Sequence, residues 1–327
     1  MSARKHFGFI IASSVIPLLG LVAAIILLWN RAVEPSDVIV FGVMYVITGL
    51  GVSAGYHRLL AHRSFKTYRP VRIFFTAAGA MAGQGPPLIW TAHHRHHHQL
   101  ADKPGDPHSP YLDDEPGFRA ALRGLWHAHL GWLFNRELSA EPLRYCPDLI
   151  RDKDMRFISR YFIRFVLGGI ALAGVLGFAL SGTWLGLVTG ALWGGLVRFF
   201  LINHLTYSIN SVGHYFGRRR FDTPDESRNV AWLAPFSFGE AWHNDHHAFP
   251  RSALHGLRWW ELDISGLVIR GMEAVGLAWD VIRIDRERQE HRAEVLSRAG
   301  GGRMAKSTPS PPLAERAKVA AGVTDVE

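Results

Sequence analysis

Four long apolar stretches limit what this 327-residue chain can fold into. They cover residues 7–29, 38–55, 161–180 and 184–205. A helix needs about 20 apolar residues to cross the hydrocarbon core of a bilayer. Because the first stretch runs uncharged through Val-Ala-Ala-Ile-Ile-Leu-Leu, we interpret all four as membrane spans rather than core helices of a soluble protein. That stretch is also too long for a signal peptide and has no small-residue cleavage site before Arg31.

The charges outside the spans predict their orientation. The net charge is +8, and lysine and arginine are concentrated in the long polar blocks, whereas the loop 181–183 is uncharged. Positively charged loops stay on the cytoplasmic side of a membrane. We therefore predict a multi-pass protein of a bacterial inner membrane with both termini in the cytoplasm. The positive charge then needs no nucleic-acid partner.

Histidines occur in three clusters of matching spacing. The segment 90–98 holds five histidines, of which three share one helical face because they lie at i, i+3 and i+4. The same spacing recurs near the C-terminus, and a third pair follows the second span. The clustered residues are His57 and His62; His94, His97 and His98; and His243, His246 and His247.

A metal centre explains these clusters better than a tag-like run or a solvated basic helix, because either of those would be isolated. Protonating a face of several imidazoles would be repulsive, whereas neutral imidazole binds iron, zinc, copper or nickel. One metal uses three or four protein ligands, so eight histidines predict two metals. The predicted topology places all three clusters at the cytoplasmic face, and His214 at the end of the fourth span is a ninth candidate.

The composition of the site narrows its chemistry. Hydrolytic di-zinc sites usually include carboxylates, and soluble di-iron proteins use glutamates in a helix bundle. An all-histidine metal pair beside apolar helices suits oxygen activation on a lipid chain. An unactivated C–H bond has no polarity for an acid or base to use, whereas a reduced metal pair with dioxygen can break it.

The clusters resemble those of the integral-membrane fatty acyl desaturases, of the form HxxxxH, HxxHH and HxxHH in this order. The resemblance is strongest to the stearoyl-CoA (delta-9) desaturase branch and covers about residues 35–265. It includes Gly55-Tyr-His-Arg-Leu59, Asp106-Pro-His-Ser-Pro110, His129-Leu-Gly-Trp132 and Gly239-Glu-Ala-Trp-His-Asn-Asp-His-His247.

The resemblance implies roles for individual residues. It implies two iron ions, with Asn210 reaching one of them through water. Gln84, Trp90 and Thr206 match residues that kink the acyl tunnel. The implied iron ligands are His57, His62, His94, His97, His98, His214, His243, His246 and His247. His93 and His96 are extra, and about 100° of rotation per residue turns His96 away from the ligand face.

Two departures concern the acyl carrier. Ala92 stands where the resemblance expects an arginine, and Glu137 follows Arg136 where a second base is expected. We expect an acyl-CoA substrate, but these departures leave phospholipid and carrier-protein esters open.

Other residues receive structural interpretations. Glu240 and Asp245 are candidates to accept a ring N–H from a metal-binding histidine. We interpret 71–81 as a helix in the membrane interface, and 117–136 as an amphipathic helix with Trp126, Leu130 and Leu133 on one side. The remaining histidines are assigned structural or supporting hydrogen bonds: His108, His129, His204 and His255.

The fold predicted from the sequence is an all-α integral membrane protein with four transmembrane helices and a cytoplasmic helical cap carrying the di-iron site. Residues 1–282 form the membrane domain, and 283–327 form a charged, then disordered, tail. The predicted activity is insertion of a cis, delta-9 double bond into a saturated acyl chain with O2 and two electrons.

Three further expectations complete the functional prediction. Cys146 is the only cysteine and no Gly-rich dinucleotide motif is visible, so a separate ferredoxin or cytochrome with its reductase must supply electrons. A hydroxylase on the same scaffold is the alternative enzyme. A metal transporter would need ionisable residues inside the spans, and the first and third spans carry no such ladder.

Overall fold

Helices make up most of the structure, a computed structural model that describes residues 15–26, 33–111, 117–135 and 140–300, with side chains to residue 293. The main helices are α1 (Val15–Ile26), α2 (Pro35–Ala61), α3 (Arg69–Met81), α4 (Pro87–Leu100), α5 (Phe118–His129), α6 (Lys153–Arg160), α7 (Phe162–Ser181), α8 (Trp184–Tyr215), α9 (His243–Ala248), α10 (Ile264–Ala274) and α11 (Arg286–Gly300). Short helical turns lie at Gly131–Phe134, Pro142–Tyr145, Pro147–Ile150 and Ala231–Leu233. Strands β1 (Lys66–Thr67) and β2 (Ala278–Trp279) pair antiparallel.

Within the described residues, three helices are long and apolar enough to cross a membrane: α2, α7 and α8. They correspond to the second, third and fourth predicted spans, and α2 and α8 extend past the predicted ends at 55 and 205. For the first predicted span the structure describes only α1, which is shorter than a span requires. The ends of that span and the tail after residue 300 lie outside the described residues. The described part of α1 packs on α8, where Gly20 lies against Leu196.

Small residues allow the spans to approach closely. The loop between α7 and α8 turns at Gly182, whose φ of 70° suits glycine, and Thr183 begins α8 by accepting a hydrogen bond from the Gly186 amide at 3.0 Å. A methyl group on Gly177 would meet the carbonyl oxygen of Gly186 at 2.1 Å. Gly177 and Gly186 therefore permit backbone contact between the two helices.

The helix predicted for the membrane interface, α3, packs along the end of α2. A Cβ on Gly51 would lie 2.2 Å from the Gly79 nitrogen, and one on Gly55 would lie 2.9 Å from the Phe75 carbonyl oxygen. The contact residue in α3 lies earlier in the chain (Phe75 rather than Gly79) when the contact residue in α2 lies later (Gly55 rather than Gly51). The two helices are therefore antiparallel. With 13 residues, α3 is too short to span, in agreement with the prediction.

The chain reverses between α3 and α4, and α8 supplies donors for the carbonyls left at this reversal. Nη1 of Arg198 donates to the Met81 carbonyl at 2.9 Å, and Nδ2 of Asn203 donates to the Ala82 carbonyl at 3.0 Å. Non-helical backbone inside a membrane protein is tolerated where such partners satisfy it. Arg198, a fully buried arginine inside the fourth predicted span, is a structural residue that was not predicted from the sequence.

A buried arginine joins the end of α2 to the C-terminal half of the chain. Nη1 of Arg58 lies 2.8 Å from Asp263, and its Nη2 lies 3.1 Å from Glu240. Farther along, Gln289 of α11 accepts a hydrogen bond from Arg220 at 3.2 Å. The first turns of α11, in the region predicted as a charged tail, therefore contact the rest of the protein.

Candidate metal centre

The first histidine pair depends on a local change in the winding of α2. Residues five apart in an α-helix lie about 140° apart around its axis. Over Gly51–Ala61, however, α2 has π-helical winding, and the His62 amide donates to the His57 carbonyl, five residues earlier, at 3.1 Å. The two imidazole rings consequently lie side by side, with centroids 4.8 Å apart.

The second cluster divides α4 into two faces. His94 and His98 face the first pair, whereas His97, one turn away from His94 on the same side of the helix, faces His214 and His247. His93 packs near Trp132 and His96 near Tyr145, with ring centroids 5.7 and 4.6 Å apart, on other sides of the helix.

Between the cluster histidines, Arg95 fastens α4 to the end of α2. Its guanidinium donates to the carbonyls of Leu60 at 2.8 Å and Ala61 at 2.9 Å. It also binds Asp148 at 2.7 Å. A cation satisfying the last carbonyls of a helix is favourable, so Arg95 holds the first two clusters in register.

The third cluster lies on the short helix α9, which the loop before it secures. Oδ1 of Asn229 accepts from the Asn244 amide at 2.9 Å, and the side chain of Asn244 accepts from the Phe221 amide at 2.7 Å. His243, His246 and His247 are buried. The non-histidine residues of this motif thus position the helix, while its histidines face the other two clusters.

The nine predicted histidines converge at one end of α2 and α8 and form two adjoining groups. In each group the nearest ring nitrogens all lie within 4.8 Å of one another. The larger group contains His57, His62, His94, His98 and His246, and the smaller contains His97, His214, His243 and His247. The structure therefore brings together residues up to 190 positions apart, and each group could hold a metal ion.

The distances between Nε2 atoms match those between ligands of one metal. They are 2.7 Å for His62 and His94, 2.9 Å for His98 and His246, and 2.9 Å for His214 and His243. Nitrogens about 2.1 Å from a metal at near-right angles stand about 3 Å apart. The donor set, all imidazole nitrogen, suits a first-row transition metal.

Carboxylates bind the Nδ1 atoms of four of these rings, the ring nitrogens that point away from the histidine groups. Nδ1 of His97 is 3.0 Å from both oxygens of Asp106, and Nδ1 of His247 is 2.9 Å from Asp225. Nδ1 of His214 is 2.7 Å from Asp102, and Nδ1 of His57 contacts Glu240. A proton on Nδ1 leaves the lone pair of Nε2 directed into the cluster, as metal binding requires.

Burial and charge agree with this arrangement. The Nε2 atoms of His97 and His247 are buried without a hydrogen-bond partner among the described residues. Burial, reinforced by neighbouring histidines, lowers the pKa of His94 and His98 well below its usual value, so these rings are neutral. Burial alone would raise the pKa of Asp106, but the adjacent His97 holds that pKa below its usual value and keeps the carboxylate charged.

Only one of the four carboxylates that contact these rings, Glu240, was predicted from the sequence. Glu240 contacts a ring nitrogen, as expected. The parallel interpretation of Asp245 was wrong, because its carboxylate instead binds the side chains of Asn229 at 2.7 Å and Arg220 at 3.3 Å. Asp102, Asp106 and Asp225 were missed as partners, although Asp106 lies in one of the motifs that carry the resemblance. Asp102 and Asp106 lie on a polar loop directly after the second cluster, and this position is the sequence feature that could have identified them.

A cavity adjoins the histidines between α2 and α8. Asn210, His97 and His243 line it, and Gly49 and Ile209 contribute apolar surface. The half-buried amide of Asn210 thus shares this cavity with two members of the smaller histidine group.

The three predicted substrate-binding residues form one hydrogen-bonded chain beside this cavity. Nε2 of Gln84 donates to Oγ1 of Thr206 at 2.7 Å, and Nε1 of Trp90 donates to Oε1 of Gln84 at 3.2 Å. Trp90 and Thr206 line the cavity. The turn between α3 and α4 is thereby fixed to α8 across the space next to the histidines.

Of the remaining histidines, His129 and His204 make the expected hydrogen bonds, whereas His255 does not. His129 binds Oγ of Ser211 and Nδ1 of His204, both at 3.0 Å. The ring of His108 lies 4.3 Å from that of His97. His255 packs 4.4 Å from His246, and its ring nitrogens have no hydrogen-bond partner among the described residues.

These features define a helical, membrane-associated protein with a buried histidine site able to bind metal. The family model for fatty acid desaturase matches residues 36–268. The chain is 43% identical over 278 residues to a hex-5-enoyl-[acyl-carrier protein] acetylenase of Moorena producens, covering 85% of each chain. It is 40% identical to delta-9 acyl-lipid desaturase 1 of Arabidopsis thaliana (78% of this chain, 77% of the relative) and 39% identical to an sn-1 stearoyl-lipid 9-desaturase of Anabaena variabilis (75% and 83%).

The chain belongs to the fatty acid desaturase family. It is therefore an oxygen-dependent oxidoreductase of lipid metabolism, as the resemblance predicted.

Proposed function

We propose that the protein inserts a cis, delta-9 double bond into a saturated acyl chain. The reaction removes two hydrogens from adjacent methylenes and reduces O2 to two molecules of water, using two further electrons and two protons. The observation that carries this proposal is the pair of all-histidine groups beside a partly apolar cavity. An acid or base cannot break the unactivated C–H bonds of such a chain, whereas an oxygen-activating centre can.

The site would hold two iron ions, one per histidine group. His57, His62, His94, His98 and His246 are the proposed ligands of one ion; His97, His214, His243, His247 and a water held by Asn210 are those of the other. Bound iron would supply the redox chemistry with O2. Burial keeps rings such as those of His94 and His98 neutral. Four rings are oriented through Asp102, Asp106, Asp225 and Glu240.

Gln84, Trp90 and Thr206 would shape the bound chain. Their hydrogen bonds cross from the α3–α4 turn to α8 next to His94, and Trp90 stacks on that ring with centroids 5.1 Å apart. A fixed polar and aromatic wall at this point supports a bent chain with one pair of methylenes at the metals. Such positioning accounts for a single cis product.

The acyl carrier expected from the sequence is coenzyme A. One observation favours a membrane-lipid ester as a second candidate: Ala92 is fully buried beside Tyr145 and Cys146, so this position presents no surface to a CoA phosphate. The names of the Arabidopsis and Anabaena relatives specify lipid-linked chains and favour the lipid ester, whereas the name of the Moorena relative specifies an acyl-carrier protein.

Electrons would come from a separate ferredoxin or cytochrome with its reductase. Cys146 is the only cysteine and is buried, so the chain cannot hold a cysteine-ligated cluster of its own. We place the histidine site and both termini on the cytoplasmic side of a bacterial inner membrane, where soluble electron carriers are available.

The test is mass spectrometry of fatty acids from cells with and without the protein, with double-bond positions located. A delta-9 cis product is expected, and His246→Ala should abolish it while His96→Ala, on the outer face of the second cluster, retains it. Purified protein supplied with acyl-CoA, acyl-lipid and acyl-carrier-protein substrates would identify the carrier. A hydroxylated product would favour the hydroxylase alternative instead.

A further inference from the structure

Helix α5 exposes an apolar stripe. Phe118, Leu122 and Trp126 lie four residues apart, so they form a row along one side of the helix. Their exposed fractions are 78%, 50% and 60%. Single exposed apolar residues are ordinary on a protein surface, but an aligned row of three large ones marks an interaction surface.

The opposite side of α5 is already packed. A Cβ on Gly124 would lie 1.8 Å from the Pro110 carbonyl oxygen, and Nε2 of His127 is 3.2 Å from the Pro107 carbonyl oxygen. Both contacts are with the loop that carries Asp102 and Asp106. The contacts of Gly124 and His127 therefore fix the orientation of α5, while Phe118, Leu122 and Trp126 themselves stay exposed.

The C-terminal end of α5 lies beside the part of α8 that we expect at the membrane boundary. At 1.5 Å per residue, about 20 residues cross a 30 Å hydrocarbon core, so α8, beginning at Trp184, reaches the boundary near His204. His129, at the end of α5, binds His204 at 3.0 Å. Counting about 100° per residue, His129 projects on the same side of α5 as Phe118 and Leu122.

Two features indicate that the stripe contacts a lipid membrane. His204 stacks on Phe200 with ring centroids 4.1 Å apart, and Leu201 is exposed, so the end of α5 adjoins the apolar surface of a membrane-length helix. Arg119 and Arg123 are exposed and directly follow Phe118 and Leu122 in sequence. Large apolar side chains flanked by arginines are typical of helices lying in the headgroup region of anionic membranes.

We propose that α5 lies in the bilayer interface, with Phe118, Leu122 and Trp126 among the acyl chains and Arg119 and Arg123 near lipid phosphates. This inference goes beyond the proposed reaction. It assigns the bilayer a structural role at the metal centre, because α5 supports the loop whose aspartates orient His97 and His214.

The experiment places a nitroxide label at Leu122→Cys in a Cys146→Ser background, with the full chain in nanodiscs of phosphatidylcholine and phosphatidylglycerol. Collision rates with O2 and with a water-soluble nickel chelate report lipid and water exposure. Val175→Cys, exposed on α7, is the lipid control, and Asp222→Cys, in an exposed loop, is the water control. The Leu122 label should follow the Val175 control, with nickel collisions several-fold fewer than at Asp222.

Charge is tested by adding Arg119→Gln and Arg123→Gln. Nickel exposure at Leu122 should rise in discs containing phosphatidylglycerol, and an unchanged value would overturn the assignment of the arginines to lipid phosphates. Nickel collisions like those at Asp222 would overturn membrane contact, and shielding from both reagents would mean that a protein surface covers the stripe. No readout requires turnover, so a failure here is distinguishable from a failure of the proposed reaction.

Discussion

Asp102 and His214 are 112 positions apart, yet the carboxylate of Asp102 accepts a hydrogen bond from Nδ1 of His214 at 2.7 Å. The same oxygen accepts from the Glu226 amide at 2.8 Å, and the other oxygen accepts from Oγ of Ser109 at 2.7 Å. One buried carboxylate therefore joins the loop after α4, the end of α8 and the segment before α9. Asp102 therefore links the geometry of the histidine site to the packing of the fold.

Asp106→Asn is expected to weaken metal binding roughly 10- to 100-fold, the usual effect of losing a partner of a metal-binding histidine. Both oxygens of Asp106 accept backbone N–H groups, from Asp102 at 2.8 Å and His108 at 3.1 Å, so an amide NH2 would face a donor in either orientation. The measurement is iron retained against a chelator. Exposed Asp222→Asn is the control, and equal retention in the two variants would contradict the assigned role.

His214→Ala should abolish desaturation and reduce the iron content, while His96→Ala keeps most activity. His214 lies in the smaller histidine group, whereas the ring of His96 packs 4.6 Å from that of Tyr145, away from both groups. Product formation and iron per chain are measured together. The alternative role for His214 is a structural hydrogen bond between α8 and the cytoplasmic helical cap. In that case the variant would lose stability but retain specific activity and iron, and this result would contradict the ligand assignment.

Gly51→Ala should destabilise the protein, by about 1–3 kcal/mol if the neighbours can shift, because overpacking forces backbone movement. The added methyl would lie 2.2 Å from the Gly79 nitrogen. Gly42→Ala in the same helix meets no atom within 4 Å and should be neutral or stabilising by up to about 1 kcal/mol. Thermal unfolding in detergent compares them, and equal midpoints would argue against close packing of α3 on α2.

Gln84→Leu should lower activity and broaden the distribution of double-bond positions. The change leaves Nε1 of Trp90 without its acceptor and removes the link to Thr206, so the wall beside the histidines loses its fixed geometry. Thr206→Ser keeps the hydroxyl and serves as the control, with a product pattern close to the parent. A sharp parental pattern from Gln84→Leu would show that these residues do not position the chain.

Acid should remove stability contributed by Asp148. Burial acts to raise its pKa, but hydrogen bonds from Arg95 and Arg63 lower that pKa to about 2. Because the folded pKa lies below the unfolded value of about 3.9, the contribution is present above pH 4 and is lost as the pH falls toward 2. Asp148→Asn should therefore lower the unfolding midpoint at pH 7, and the difference from the parent should shrink below pH 4. A constant difference would mean that the carboxylate charge is not responsible.

Several long-range features were beyond prediction from the sequence. Helical periodicity predicts that His94, His97 and His98 share a face, but nothing local indicates the π-helical winding that brings His57 beside His62. That winding accompanies close packing of Gly51 and Gly55 on α3. The correct choice between Glu240 and Asp245 likewise depended on which carboxylate lay near a histidine from another helix.

The sequence by itself determined the membrane-length helices, the three histidine clusters and the family, because apolar length and i, i+3, i+4 spacing are local properties of the chain. The tertiary structure decided which histidines form each group and which carboxylates orient them. The histidines of one group come from α2, α4 and α9, and their relative positions depend on packing between helices distant in sequence. Side chains such as Arg58, Arg95 and Asp102 stabilise that packing through buried hydrogen bonds, whose geometry exists only in the folded chain.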